Sequence, residues 1–531
     1  MWNMELAETV TLPAIAGVII VLLSGAVLRV FRRSQKLQLP IANIENGTSP
    51  TQTLFKAQAQ FPNSPFILAL NPPWVILPHS LTDEVKTLTE DKASFHRLSY
   101  IRMQGRYTGI SAGDHPEAID AIKYDLTRNI ASILGDLQDE ISFAMDKEIG
   151  DVEGWKETYV YGTVLRLVAR LSARTFVGLP LCREEDWLKA TINVTTDTVI
   201  GVNAIAKHNP WFRPFVAPFI PELRNLKKYD AFFSGKLKSQ VNAIMAAYKK
   251  QGITLKKPSA ENISDEGVEE GNHNLVHWVM RNFKDKSRVT AGEIGVVEKL
   301  AAFAAIHTTS MAITHMIFDL AAYPEYATEL REEYNAVITE EGYPDARLRK
   351  NSMPKLKKLD SFMKESQRVN PPGMIAMGRL VTARNGLSLS TGHKLPYGTQ
   401  FGFSNAFYPT STIQPDTVVT AKFQPPLSEF HPWRYADLRS NSGEEHKYQF
   451  VSTDRNNITF GNGAHACPGR FFASNEIKIV ILELLKRFDL ALGPQGQVEG
   501  QDGYIKPKMV EVQSFYSPDP YAKIYIKPRV V

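Results

Sequence analysis

Cysteine is scarce in this chain of 531 residues: only Cys182 and Cys467 occur. A pair so far apart builds no disulfide framework and suits a reducing compartment. A dominant charge is also missing. Lys and Arg number 61 against 56 Asp and Glu, leaving +5, too mild an excess for a nucleic-acid binder. Repeats and long low-complexity tracts are absent between Leu39 and Val531. Gly461-x-Gly463 lacks the third glycine and follows no crossover unit, so no nicotinamide or flavin domain is visible. The length exceeds the usual single domain and allows one large enzyme fold or two to three domains.

One long hydrophobic run stands out. Thr9 to Leu28 is twenty residues without a charge, enough for a helix to cross a bilayer core. Glu5 and Glu8 precede it; Arg29, Arg32, Arg33 and Lys36 follow. The basic flank places everything beyond residue 29 on the cytosolic side, and the acidic start disfavours a cleaved signal peptide. Pro40 would stop a continuing helix. The expected layout is a membrane anchor at 9–28, a basic and proline linker at 29–40, and a catalytic domain at 41–531. Four Asn-x-Ser/Thr sequons (Asn46, Asn193, Asn262, Asn457) carry no meaning on a cytosol-facing domain.

Beyond the linker, helical patterns dominate, which predicts a mainly α fold with a minor β portion. Helices are expected at Trp155–Phe176, Pro221–Lys250, Thr290–Ala322, Glu325–Thr339, Pro354–Val369 and Pro468–Phe488. Strand-like pieces cluster late, near 387–389, 400–403 and 524–526. The polar stretch 252–273 reads as a surface loop. In the longest helix, Thr290 and Glu293 form a capping-box start and Pro324 marks the stop. Leu300 to Ile306 is apolar on every side, the mark of burial. His307, Thr308, Thr309 and Ser310 then interrupt it, and back-bonding hydroxyls there are expected to bend or open a turn.

The most informative segment is Phe460-Gly461-Asn462-Gly463-Ala464-His465-Ala466-Cys467-Pro468-Gly469. Proline is suited to a first helical position, and an amphipathic run follows from Arg470. A sulfur at a helix N-terminus is biased toward thiolate. Gly463 and Gly469 leave room for a flat group against the backbone. The pattern Phe-x-x-Gly-x-His-x-Cys-x-Gly resembles the haem-binding signature of the cytochromes P-450, with His465 where most members have arginine. Ala304-Ala305-Ile306-His307-Thr308-Thr309 resembles the oxygen-activation segment of that family, with Ala305 for glycine and His307 for the usual acid.

What the resemblance implies is specific. It implies a cytochrome P-450 fold preceded by one transmembrane helix, and a haem whose iron takes an axial thiolate from Cys467. Phe460, Gly463, His465 and Gly469 would shape the cofactor loop. Thr308 would help handle O2 and protons, with His307 standing in for the acid. Glu365 and Arg368, at helical spacing, would form a buried scaffold with Arg434 of Phe430-His431-Pro432-Trp433-Arg434-Tyr435. Tyr124, Arg128 and Arg379 would meet the haem propionates. Residues 405–430 depart from the family pattern. Segments such as Phe176 to Arg183 look like the fungal branch, ent-kaurene oxidase-like enzymes included, that tailors terpenoids and other secondary metabolites.

The implied activity is monooxygenation of a hydrophobic small molecule. Electrons would come from NADPH–cytochrome P-450 reductase in the same membrane, the endoplasmic reticulum. Arg470, Lys478, Lys486 and Arg487 are candidates for a basic docking face. An alternative within the family is an oxidative rearrangement such as ring expansion or desaturation, motivated by the missing acid at His307. A cysteine hydrolase using Cys467 with His465 fails because residues two apart seldom point at each other and Pro468 lacks an N–H for an oxyanion hole.

Overall fold

The computed structural model of the protein describes residues 37–111, 113–250, 274–405, 426–427, 429–512 and 515–529. The expected anchor at 9–28, all but the last residues of the linker, the loop 252–273 and most of 405–430 lie outside the described residues.

Helices supply the bulk of the body. They include α1 (Ile130–Glu148), α2 (Val160–Phe176), α3 (Glu185–Ala206), α4 (Pro221–Lys250), α5 (Ala291–Ala322), α6 (Pro324–Glu341), α7 (Lys357–Val369) and α8 (Arg470–Arg487). The long helix α5 packs against α2, α3 and α4. Its 32 residues extend about 48 Å at 1.5 Å per residue, enough to cross the domain. Thr290 caps it, accepting from the Glu293 N–H at 3.2 Å. Among the described residues α5 is the helix long and apolar enough to span a bilayer, yet it is the core helix of this fold. Ile294, Val297, Ile313, Ile317 and Leu320 all sit in the main hydrophobic cluster.

The minor β portion is larger and earlier than its sequence signal. Strands β1 (Ile41–Ala42), β2 (Phe66–Leu68), β3 (Trp74–Leu77), β4 (Ala93–Ser94), β6 (Ile375–Val381) and β7 (Gln400–Ser404) form one sheet ordered β1-β2-β3-β7-β6-β4. Strand β5 (Lys156–Tyr159) joins β8 (Phe488–Ala491) and β9 (Lys523–Pro528) in a second sheet. The helix expected from Trp155 therefore starts only at Val160. Lys156 to Tyr159 pairs instead with Lys523 to Ile526, a long-range partner that local periodicity cannot reveal.

Other boundaries move for local reasons. Pro468 lies in the turn before α8, which begins at Arg470 with Gly469 as its cap. Pro324 opens α6 directly after α5, because proline fits a first helical turn as well as it ends a preceding one. The expected opening at Thr308 does not occur. Helix α5 runs unbroken through it, with the Thr308 hydroxyl donating back to the Ala304 carbonyl at 2.7 Å and Ser310 doing the same to Ile306 at 2.7 Å.

Candidate functional site

The loop before α8 is held by its own backbone. Cys467 N–H donates to the Phe460 carbonyl at 2.7 Å, closing the loop into a hairpin. Phe460 stands edge-on to the buried Phe450 at 5.3 Å between ring centroids. Gly463 has φ +70°, and a Cβ there would lie 2.8 Å from the Lys86 carbonyl oxygen, so only glycine fits. The close approach of the Lys86 backbone is a constraint that the sequence reading did not contain. Gly469 is less constrained: a Cβ would meet Ile122 at an ordinary 3.6 Å.

Cys467 is half-buried, and the N–H groups of Gly469 and Arg470 point at its sulfur. Burial pushes the thiol's pKa up, and those two donors with the Arg470 charge only partly offset it. The helix terminus alone thus leaves a thiol. A coordinated metal ion would deprotonate it outright, as it does any thiol ligand. The other cysteine, Cys182, is fully buried in the main core and its pKa is pushed up to about 11 by burial, which makes it inert packing.

A charge network anchors the approach to this loop. Arg368 clamps Glu365 with Nε to Oε2 and Nη2 to Oε1, both at 2.8 Å. Arg434 Nε donates to Oε1 at 3.2 Å, and the His431 N–H joins the same oxygen at 3.0 Å. The remaining guanidinium donors reach the carbonyls of Pro426, Leu427 and Glu429. Burial would raise the Glu365 carboxyl, but the bonds and charges of Arg368, with Arg434 and the His431 N–H, hold it below the usual carboxylate range.

Arg379 is different. A register shift between Ala376 and Arg379, with Met377 at φ 52°, marks a bulge in β6, and such bulges re-aim side chains. The guanidinium is buried to 2%. Among the described residues it makes one hydrogen bond, Nη1 to the Gly378 carbonyl at 2.9 Å, and lies over the Phe95 ring at 5.6 Å. Its Nε has no partner, and among the described residues it forms no ion pair. Burial lowers its pKa to about 10.

His465 belongs to the same edge. Its ring is 5.5 Å from those of both Phe95 and His96, and its Nε2 lies 3.0 Å from Glu90 Oε1. Glu90, His96 and His465 hold their ligand atoms within 4.8 Å of one another. With the Arg379 charge bearing on His465, this edge suits a carboxylate better than a cation. The sequence reading missed Glu90, Phe95 and His96; an isolated acid and an isolated imidazole carry no local signature.

On α5, Ala304 and Thr308 are exposed although they sit mid-helix in the core. The run Leu300 to Ile306 is therefore not buried all round; one stripe of the helix is open. Phe303 and Ala305 beside this stripe, and Phe460 and Phe471 beside Cys467, border one and the same core cluster. His307 points elsewhere. Its Nδ1 is 2.9 Å from the Tyr161 hydroxyl on α2, and its Nε2 is 3.0 Å from the Ile192 carbonyl on α3.

The remaining expected residues divide. Tyr124 is exposed, with Lys123 Nζ 5.0 Å over its ring, and Arg128 is exposed. Both lie in or just after a π-helical turn, Ala121–Leu126. Ile122 of that turn packs at Gly469, which puts the turn beside the cysteine loop. The proposed basic docking face is not formed as drawn. Lys478 is buried, bonded to the Met353 carbonyl at 3.0 Å and paired with Asp360. Arg487 pairs with Asp146 and Glu483, Lys486 neighbours Glu483, and Arg470 folds back onto the Cys467 carbonyl at 2.8 Å.

A buried guanidinium short of an anion, a thiol aimed from a turn, and an open stripe on the central helix are together what a metalloporphyrin with carboxylate arms requires. Comparisons agree. The family model described as Cytochrome P450 matches residues 213–510. Cytochrome P450 monooxygenase ascG of Acremonium egyptiacum is 38% identical over 532 residues, covering 98% of this chain and 96% of that protein. Cytochrome P450 monooxygenase BOA7 of Botryotinia fuckeliana is 36% identical, covering 87% and 85%. Among solved structures, retinoic acid bound cyanobacterial CYP120A1 shares the fold with a TM-score of 0.60 at 16% identity, covering 93% of this chain and 100% of that one.

Proposed function

Since the chain belongs to the cytochrome P450 monooxygenases, oxidoreductases that work through a haem held by a cysteine thiolate, we propose that Cys467 is that thiolate and that the open stripe of α5 forms the opposite wall. The observation that carries the reading is one loop presenting a sulfur at Cys467 and, two residues earlier, an imidazole beside the half-satisfied Arg379. A soft iron ligand and a carboxylate receptor on one segment match a porphyrin bound by its metal and its propionates. Bound there, haem supplies activation of O2 for attack on an unactivated carbon, with the thiolate pushing electron density toward the iron.

The protein's own groups do the rest. The N–H groups of Gly469 and Arg470 hold the sulfur's lone pairs and fix its direction. Arg379 and His465 would hold the carboxylate arms of that group. Thr308 offers a hydroxyl on the open stripe whose bond to Ala304 can be exchanged for a bond to a bound water or substrate. Ala304 keeps that wall low and apolar, suited to a hydrophobic small molecule. The fungal relatives support a substrate from secondary metabolism, and the reading proposed here is a terpenoid or polyketide-derived one.

Electrons come from a separate NADPH–cytochrome P450 reductase, and the place of work is a membrane facing the cytosol. Beyond the run at 9–28, the described surface supports this. Trp211, Phe212, Phe215 and Phe219 are 85, 63, 73 and 76% exposed. No acid lies between Asp197 and Glu222, while Lys207 and Arg213 do. Aromatic side chains with basic neighbours fit an anionic lipid interface. The test of the core reading is the reduced carbon monoxide difference spectrum: wild type shows the thiolate-type band, and Cys467→Ala loses it. Retention of that band by Cys467→Ala would end the proposal.

A further inference from the structure

We propose that His307 is a positioning residue, a neutral imidazole that fastens the Thr308 turn of α5 to α2 and α3, and is not a proton carrier. The proposal rests on the reading of Thr308 as part of the haem site. The Ile192 carbonyl only accepts, so His307 Nε2 must carry a proton. Burial lowers the pKa of the ring, partly opposed by that bond, which keeps it neutral and leaves Nδ1 as a bare acceptor. Tyr161 fills it. Burial pushes the Tyr161 phenol up to about 12, so its hydrogen stays and its hydroxyl donates to Nδ1.

Both nitrogens are thereby committed. A relay takes a proton at one nitrogen and releases it from the other, but release from Nε2 leads to a peptide carbonyl, which is not a base. The route ends there. What the two bonds achieve is mechanical. They tie one residue of α5 to two different helices and so fix the rotation of α5 about its axis. Residue 308 follows about 100° further round the helix, so the direction of the Thr308 hydroxyl is set by the same ties. Thr195 of α3 adds a weaker one, 3.5 Å to the Phe303 carbonyl.

Three variants of the full-length holoenzyme separate the roles: Tyr161→Phe, His307→Ala and His307→Gln. The glutamine amide can donate to Ile192 and accept from Tyr161, yet it cannot titrate. The carbon monoxide difference spectrum is recorded first. If wild type itself lacks the thiolate-type band, the site reading fails and not the clamp. Carbon monoxide rebinding after flash photolysis then reports the mobility of the wall beside Thr308, and the pH profile of reductase-driven NADPH oxidation reports proton supply. A clamp predicts that His307→Gln keeps both close to wild type, whereas Tyr161→Phe and His307→Ala each change rebinding about fivefold, the scale of one lost hydrogen bond. Loss of NADPH oxidation and of its pH inflection in His307→Gln, with Tyr161→Phe unaffected, would overturn the clamp in favour of a relay. Unchanged rebinding in all three would equally overturn it.

Discussion

Two buried guanidinium sites flank the cysteine loop, and they are built in opposite ways. Arg368 and Arg434 share Glu365, and their other donors reach backbone carbonyls. Among the described residues Arg379 is bonded to no carboxylate, makes one bond to a carbonyl and has a stranded Nε, with Glu90 acting on it only through its charge. A buried charge that is fully paired belongs to the fold, since a missing partner would leave it uncompensated. A buried charge kept short of a partner costs stability unless something else arrives to complete it. The difference separates scaffold from site without any reference to motif.

The comparison can be broken most severely at the paired end. Glu365→Ala is expected to cost about 3–5 kcal/mol, because two cations are stranded at once; urea unfolding and haem content of the purified protein would show it. At the other end, Arg379→Leu should leave the stability of haem-free protein unchanged or higher. Haem transfer from this variant to a scavenger globin should be roughly ten- to a hundredfold faster, matching charge-assisted bonds of roughly 1.5–3 kcal/mol. If Arg379→Leu instead destabilises the haem-free protein as Glu365→Ala does, the contrast between the two sites is false.

Acid sharpens the same contrast on a smaller scale. His79, His307 and His315 have pKa values lowered chiefly by burial, His315 to about 4. The unfolded chain takes up protons from about pH 6.5 downward while these folded groups do not, so stability declines as pH falls below that value. Glu365 acts in the same direction at lower pH: its pKa is also depressed, so its contribution is full above the ordinary carboxylate value and is lost as pH falls through its folded pKa. Thermal unfolding from pH 7 to 4 should therefore show the histidine slope first, and His315→Gln should flatten it. Smallest of all, Phe215→Ser at a 73% exposed site should move stability by no more than about 0.5 kcal/mol while weakening binding to anionic vesicles.

Much of the site was legible locally. Cys467, Gly463 and His465 lie within five residues, and Glu365 and Arg368 lie one helical turn apart, so short-range pattern suffices. Capping at Thr290 was readable for the same reason. Illegible were contacts that join distant segments. Glu90 and His96 reach His465 across more than 350 residues of chain; Tyr161 and Ile192 reach His307 across more than a hundred. The helix at Ile130–Glu148 and the strands at Phe66–Leu68 and Trp74–Leu77 were missed, and Lys156–Tyr159 was assigned to a helix, because a few residues of alternating pattern do not outweigh tertiary pairing. Lys478 was misread as surface, since a lysine in an amphipathic run gives no warning of a buried Asp360 opposite.

By itself, the order of residues determined the cysteine turn, the caps and the long apolar helix, all of which depend on neighbours within a turn or two. Only the tertiary structure decided which arginine would be completed and which left wanting, and toward which helices His307 would turn. The reason is that burial and partnership are properties of what is brought alongside, and a chain acquires its neighbours only by folding.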